Sequence, residues 1–206
     1  MKIFKSILLI CGLILITGQV FAAEVALDPA TKIVTQGETF NVNITIDPMG
    51  TRIAGAQANI GFNSSLFRVN TISEGDLFTR NGTNTFFNAG TINNSIGTAI
   101  NIFDSIIGNR NVTTRGTFII INVTAIGITG TSGFDLSNVK ISDPNGLAVS
   151  LNTTNGSFTI SAPAAEVALN PSTKIVSQGE TFNVNITIDP MGTRIAGAQA
   201  NIGFNS

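Results

Sequence analysis

The sequence predicts an all-β protein folded as an antiparallel β-sandwich. Short segments in which apolar and polar residues alternate recur along the chain, and a period of two is typical of strands with one buried face. Clusters of Gly, Asn, Asp and Pro separate these segments and indicate turns. No segment keeps the 3.6-residue apolar period of a helix. Many short strands joined by turns favour two sheets packed face to face.

The individual strands follow from this alternation. Segment 38–47 alternates four apolar side chains with Thr and Asn. Segment 53–62 places Gln57 and Asn59 on the side opposite its own apolar row. Further strands are predicted at 66–72, 85–88, 98–103, 116–125, 133–142 and 156–160.

Segment 116–125 carries two kinds of residue on one side. One row is wholly apolar, whereas the other contains Asn122 and Thr124 together with Phe118 and Ile120. Two interpretations remain open. Either the strand is buried on both faces at one end, or Phe118 and Ile120 belong to an exposed apolar patch that binds a partner.

The N-terminal segment is typical of a secretory signal peptide. Lys2 and Lys5 precede a short apolar run, so we predict a signal over residues 1–22 with cleavage after Ala22 or Ala23. A membrane anchor is the alternative, but the run is shorter than the ~20 residues that span a bilayer. We therefore expect a secreted protein, extracellular or on the cell surface, that meets a membrane only during export.

The composition disfavours several classes of function. The net charge is −1 and charged residues make up 11 % of the chain, so no basic surface for nucleic acid is expected. The chain has no histidine, and its single cysteine, Cys11, lies in the predicted signal. The commonest nucleophiles, bases and transition-metal ligands are therefore missing. We interpret Glu74 and Asp76 as parts of a solvated turn. We predict no enzyme, small-molecule substrate, cofactor or metal site.

The chain contains an internal repeat. Residues 164–206 repeat residues 22–64 and differ only at Asn170, Ser172 and Ser177. The repeat distance is the size of a whole domain, so we predict a domain at 24–160, a linker at 161–165 and the first part of a second copy at 166–206. So short a segment lacks a core of its own. We expect it to be poorly packed, or to borrow an edge from another chain, and the chain to be a truncated product or partial gene.

Asn-x-Ser/Thr sequons are frequent, and they suit an exported protein without indicating a specific role. The predicted glycosylation sequons begin at Asn43, Asn63, Asn81, Asn93, Asn111, Asn122, Asn152, Asn155 and Asn185.

Five blocks of sequence, by their order and spacing, resemble the cohesin domain. They are VALDPATKIVTQGETFNVNITID, IAGAQANIGFNSSLFRVNTISEGDLF, TFFNAGTINNSIGTAINIFDSI, GTFIIINVTAIGITGTSGFDLSNVKISDPNGLAV and NGSFTI, and they cover nearly all of residues 25–160. The resemblance implies a flattened jelly-roll sandwich of about nine strands. It also implies a non-catalytic receptor for dockerin-containing proteins, placed in tandem on a scaffold, with calcium held by the dockerin partner.

The resemblance also implies a recognition face formed by one sheet. It places segments 53–62, 98–104 and 116–125 in that sheet. Two other functions remain open, a structural surface array without a dockerin partner and a carbohydrate-binding module, although the chain has no Trp or Tyr for stacking on sugars. The outward candidates for partner binding are Gln57, Asn59, Asn101, Asp104, Phe118 and Ile120.

Overall fold

The structure is a computed structural model that describes residues 21–192 and 194–204. Residues 1–20 of the predicted signal peptide lie outside the described residues. Among the residues described, no helix is long and apolar enough to cross a membrane. The strands of the first domain are β1 Ala23–Asp28, β2 Thr31–Thr35, β3 Thr39–Asp47, β4 Gly55–Phe62, β5 Phe67–Glu74, β6 Thr85–Asn88, β7 Thr91–Asn93, β8 Thr98–Ile106, β9 Gly116–Ala125, β10 Gly130–Ser142, β11 Leu151–Thr154 and β12 Gly156–Ser161.

The prediction of an all-β sandwich is confirmed. One sheet has five strands in the order β11-β1-β3-β9-β5, and the other has seven, in the order β2-β12-β10-β4-β8-β6 with β7 also paired to β8. Most neighbours are antiparallel, but β11 runs parallel to β1 and β12 runs parallel to β2. The first two and the last two strands of the domain therefore run side by side. β1 lies beside β11 in one sheet, and β2 lies beside β12 in the other.

The core between the sheets is built around a cluster of phenylalanine rings. Phe134 contacts Phe158 edge-on with 4.9 Å between ring centroids, and Phe67 meets Phe134 edge-on at 5.5 Å. Phe40 joins the cluster against Phe158. These rings come from both sheets, since Phe40 and Phe67 lie on the five-stranded sheet and the other two on the seven-stranded sheet. Edge-to-face contacts add to the burial of apolar area.

A β-bulge decides the question left open at Phe118. Ile44 pairs with Ile119 and Thr45 pairs with Thr117, so Phe118 is an extra residue in β9. The bulge turns two consecutive side chains inward, and Phe118 is 1 % exposed while Ile119 is fully buried. Phe118 and Ile119 therefore both face the core, while Thr117 and Ile120 on either side of them are only half-buried. The prediction that Phe118 lies on an outward face is wrong.

The predicted position of Ile120 in the recognition sheet is also wrong. β9 pairs with β3 and β5 in the five-stranded sheet, whereas β4 and β8 lie in the seven-stranded sheet. Ile120 is half-buried and faces outward on the opposite side of the sandwich from Gln57. The family resemblance implied that position, and the local alternation of the strand could not test it, because sheet membership is set by long-range pairing.

The second copy of the repeat forms only two strands among its described residues. They are β13 Glu166–Asn170 and β14 Asn185–Asp189, and they pair in the register that β1 and β3 use. The described residues from 164 onward are exposed, so Val167 is 60 % exposed whereas its counterpart Val25 is 1 % exposed.

We predict that Phe134→Ala lowers the free energy of unfolding by about 3–5 kcal/mol, because it leaves a cavity beside the rings of Phe62, Phe67 and Phe158. Denaturant titration measures the change. Phe86→Ala is the matched control, since Phe86 is 61 % exposed, and it should cost less than about 1 kcal/mol. Equal losses in the two variants would contradict this description of the core.

We also predict that trypsin cleaves after Lys174 much sooner than after Lys32. The two lysines occupy equivalent places in the repeat, but Lys32 lies in β2 and pairs with Phe158 of β12, whereas Lys174 is in no strand. Backbone held in a sheet resists a protease. Mass spectrometry of a digestion time course reads both sites. Cleavage at similar rates would show that the second copy is ordered beyond its two strands.

Candidate partner-binding face

The outward surface of β10, β4, β8 and β6 spans four neighbouring strands of the seven-stranded sheet. Register places Lys140 beside Gln57, Gln57 beside Phe103, and Phe103 beside Asn88. These four residues form one row across the seven-stranded sheet, which we call the central row. Gln57 and Phe103 are half-buried, and Lys140 and Asn88 are exposed.

Asn59 and Asn101 lie next to the central row and bind each other. The register of β4 against β8 shifts between Ala58 and Ile60, and Asn101 adopts a positive φ of 60°. Asn tolerates this conformation better than most residues. The backbone N–H of Asn101 donates to Oδ1 of Asn59 at 2.9 Å. Three predicted binding residues, Gln57, Asn59 and Asn101, therefore lie on one surface, although partner binding by them stays a prediction.

An aromatic corner, formed by Phe86 and Phe103, lies at one side of this surface. The two ring centroids are 5.6 Å apart. Phe86 is one of the most exposed aromatic side chains of the domain, and Ile100 on β8 is exposed as well. Sequence reasoning missed both phenylalanines. The alternation of β6 was the available signal, because Thr85 and Phe87 face inward and leave Phe86 facing out.

The face carries little charge. On β4, β6, β8 and β10 the charged residues are Asp104, Asp135 and Lys140, and Asp104 is buried. Asp135 is engaged by the side-chain amide of Asn155 at 3.0 Å. A partner would therefore be held mainly by apolar contact and neutral hydrogen bonds.

A groove of about 580 Å³ runs beside the central row. Gln57, Phe103 and Lys140 line one side, and Ala148 and Val149 of the β10–β11 connection line the other. The groove is mostly apolar with a few polar groups, which suits a protruding side chain or a helix edge of a partner.

The predicted outward position of Asp104 is wrong. Asp104 shares its side of β8 with Ile102, points between the sheets and is 2 % exposed. Burial and the neighbouring Glu74 carboxyl raise the pKa of Asp104 from 3.8 to about 7. Thr85 donates a hydrogen bond from Oγ1 to Oε1 of Glu74, whereas Oδ1 of Asp104 is buried without any partner. In the described part of the chain, no three His, Cys, Asp or Glu side chains gather into a cluster.

The opposite face of the sandwich is a polar ladder. The side-chain amide of Asn122 donates to Oδ1 of Asn41 at 2.8 Å, and Asn70 donates to Asn122 at 2.9 Å and to Thr124 at 2.8 Å. These bonds cross β3, β9 and β5 and occupy the amide groups among themselves. The ladder resembles a structural reinforcement more than an open binding surface.

The predicted sequons are distributed over the domain and the second copy, and their use stays a prediction. Asn63 and Asn93 accept backbone hydrogen bonds in turns through Oδ1, and Asn155 accepts one from Leu136. The remaining sequons lie on strands or connections, namely Asn43 on β3, Asn81 in a 3-10 turn, Asn111 before β9, Asn122 on β9, Asn152 on β11 and Asn185 on β14.

The two packed sheets define the class, an all-β jelly-roll sandwich whose seven-stranded sheet carries the candidate face. The family model described as "Cohesin domain" matches residues 23–160, and the chain therefore belongs to the cohesin family. A curated relative, Cellulose-binding protein A of Clostridium cellulovorans, is 28 % identical over 181 residues, which are 85 % of this chain and 10 % of that protein. The chain thus spans about a tenth of that relative's length.

Solved structures share the fold at low identity. A non-cellulosomal cohesin of the archaeon Archaeoglobus fulgidus has a TM-score of 0.53 and 14 % identity, covering 69 % of this chain and 93 % of that one. The cohesin of a type I cohesin–dockerin complex of Clostridium thermocellum has a TM-score of 0.56 and 14 % identity, covering 69 % of this chain and 96 % of that one. A type I cohesin of Pseudobacteroides cellulosolvens has a TM-score of 0.53 and 17 % identity, covering 69 % of this chain and 94 % of that one.

We predict that Asp104 stabilises the folded protein at low pH and that this contribution to the free energy of unfolding is lost as the pH rises. The pKa of Asp104 is raised in the folded state, so the folded protein holds a proton that the unfolded chain releases above about pH 4. Stability from this group is complete below pH 4 and falls until about pH 7. This fall amounts to about 4 kcal/mol between pH 4 and pH 7, and Asp104→Asn should remove it.

The measurement is denaturant unfolding at several pH values between 4 and 8, with a chelator present so that no metal ion contributes. Asp143→Asn is the control, because backbone N–H groups of Leu147 and Asn145 lower the pKa of Asp143. That variant should lose stability above pH 4 instead. If the free energy of unfolding of wild type and of Asp104→Asn changes with pH in the same way, folded Asp104 does not hold the proton.

Proposed function

We propose that the domain over residues 23–160 is a non-catalytic receptor that binds dockerin-containing proteins through the outward face of β10, β4, β8 and β6. The observation that carries this proposal is membership of the cohesin family combined with an open, weakly charged sheet. Structural neighbours include a cohesin in complex with a dockerin, which supports a partner of that kind.

The chemistry of the face supports a protein partner rather than a small substrate. The aromatic corner supplies exposed apolar area, and the central row supplies amide and ammonium groups at regular spacing. Aromatic residues that are partly exposed beside polar neighbours are typical of binding hot spots. The groove beside Lys140 offers room for a side chain that projects from the partner.

We further propose that the protein is exported and that its cohesin domains are arranged in tandem. The N-terminal segment supports export, and the near-identical repeat supports an array. Linked copies raise the effective concentration of a second binding event. A short linker over residues 161–165 keeps neighbouring copies close together.

The test is calorimetry of the purified chain against each dockerin encoded in the same genome, with and without calcium. We expect one dockerin bound per complete domain, and binding that requires calcium because the metal belongs to the dockerin. If none of the dockerins binds under either condition, the receptor proposal fails and the structural array becomes the better account. Binding to insoluble polysaccharide alone would favour the carbohydrate-binding module.

We predict that Phe103→Ala weakens dockerin binding about 10-fold to 100-fold, because it removes one ring of the aromatic corner and one wall of the groove. Phe86→Ala should also weaken binding, by a smaller factor since Phe86 does not line the groove.

The matched control is Ile128→Ala. Ile128 is an apolar residue about as exposed as Phe86, 66 % against 61 %, but it lies in the β9–β10 connection away from the central row. Its truncation should leave the dissociation constant unchanged. If Ile128→Ala weakens binding as much as Phe103→Ala, the binding face lies elsewhere on the domain. Thermal unfolding of each variant separates lost contacts from lost folding.

A further inference from the structure

Lys140 is the cation of the candidate face, and its charge is not neutralised within the part of the chain that the structure describes. It is the basic residue of β4, β6, β8 and β10, it faces outward from β10 and it is exposed. A free charge on a weakly charged surface is a candidate for pairing with a partner. The ion pairs of the described residues join Lys32 to Glu38, Arg80 to Asp76, Arg115 to Asp28 and Lys174 to Glu180.

Asp135 is the exposed acid of the same face, and it lies too far from Lys140 to neutralise it. Register places Asp135 beside Gly61 and Lys140 beside Gln57, four residues apart along β4. At about 3.3 Å per residue this separation is about 13 Å, which exceeds the Debye length of about 8 Å at physiological salt. Asp135 instead accepts a hydrogen bond from the side-chain amide of Asn155 at 3.0 Å.

Two further acids lie near the groove beside Lys140, and both are occupied. The backbone N–H groups of Asn145 and Leu147 each donate to Oδ1 of Asp143 at 2.8 Å. Asp104 is buried, and its raised pKa of about 7 keeps the carboxyl protonated at pH 6. Lys140 is therefore the charged side chain among the groove-lining residues at that pH.

The floor of the groove adds hydroxyl groups beside the ammonium group. Ser142 of β10 and Ser105 of β8 pair with Gly55 of β4 from its two sides, and all three residues line the groove. Gly55 leaves the space between the two serines open, because a Cβ there would lie 2.9 Å from Oγ of Ser142. Gln57 on the same strand contributes a side-chain amide. An ammonium, an amide and two hydroxyls can all donate hydrogen bonds, and a carboxylate can only accept them.

The walls of the groove are apolar. Phe103 lies on one side, and Ala148 and Val149 lie on the other. Two opposite charges between apolar walls attract each other more strongly than the same charges in open water. The groove therefore favours a group that has a negative end and an apolar stem.

We propose that this groove binds an aspartate or glutamate side chain of the dockerin partner, with Lys140 as its ion-pairing residue. The inference rests on the proposed function, because it assigns the chemistry of one contact on the receptor face. The carboxylate lies between Lys140 and the row formed by Ser142, Gly55 and Ser105. Lys140 thereby discriminates between partners, since a dockerin with a basic residue at this place meets a like charge.

The experiment is calorimetry at pH 6 with the purified chain and the dockerin that binds it, in the presence of calcium. Lys140→Met keeps most of the aliphatic stem and removes the charge, whereas Lys140→Glu reverses the charge. We expect at least tenfold weaker binding for Lys140→Met and at least 100-fold weaker binding for Lys140→Glu. Raising NaCl from about 50 mM to about 500 mM should weaken the binding of wild type more than that of Lys140→Met.

Arg68→Met is the matched control, since Arg68 is an exposed cation on β5 of the other sheet. This variant removes the same charge and should leave the dissociation constant unchanged. Thermal unfolding of every variant checks that it is folded, and if Lys140→Glu does not fold, Lys140→Met decides.

A charge exchange identifies the group on the partner. The acidic residues of the dockerin that are not calcium ligands are replaced by lysine one at a time. One of these substitutions should weaken binding to the wild-type chain and strengthen binding to Lys140→Glu at least tenfold.

Three results would overturn the inference while the receptor proposal stands. The first is equal or tighter binding by Lys140→Met, which would indicate an apolar side chain in the groove. The second is a loss of affinity for Arg68→Met as large as that for Lys140→Met. The third is that no lysine substitution in the dockerin restores binding to Lys140→Glu. If no dockerin binds the wild-type chain, the receptor proposal and this inference fail together.

Discussion

The register of β4 in the middle of the seven-stranded sheet is the constraint on which the rest of the surface depends. β10 pairs with one edge of β4 and β8 with the other. Ala58 and Ile60 face the core, so Gln57 and Asn59 must face outward. A slip of one residue would exchange the two rows and bury both amides. The phenylalanine cluster makes that slip costly, because the inward row packs against rings held by both sheets.

Three of the register shifts in the sandwich change which side chains reach a surface. In β9 the extra residue Phe118 is turned into the core. In β8 the irregularity at Asn101 lets its backbone bind Asn59, so that two strands share one polar site. In β10 the register shifts between Ser137 and Lys140, which carries Lys140 to the side of Gln57. The central row and the asparagines beside it therefore depend on the register of β4 and on the local shifts in β8 and β10.

Period-two patterns in the sequence were sufficient for the fold class and for strands such as β6 and β9, whose bounds agree with the predicted segments. Four strands were not predicted, namely β1, β2, β7 and β11. The last three are short edge strands that their partners rather than their own patterns hold in place. Local alternation does not specify sheet membership, and the family resemblance placed β9 in the wrong sheet. The position of Asp104 could have been predicted. Asp104 lies two residues after Ile102 on β8, so strict alternation alone would have placed its side chain inside.

The internal repeat separates what local sequence specifies from what its surroundings supply. β13 and β14 pair in the same register as β1 and β3, so this pairing needs little beyond the segment itself. The counterparts of β4, residues 197–204, form no strand, and Ile202 and Phe204 are exposed where Ile60 and Phe62 are buried. β4 requires β8 and β10 on its two edges and an apolar core below it. Gln57 and Asn59 lie on β4, so the candidate face depends on the pairing of β4 with both neighbouring strands. Gln199 and Asn201 are the equivalent residues of the second copy, but they lie in no strand and form no such face.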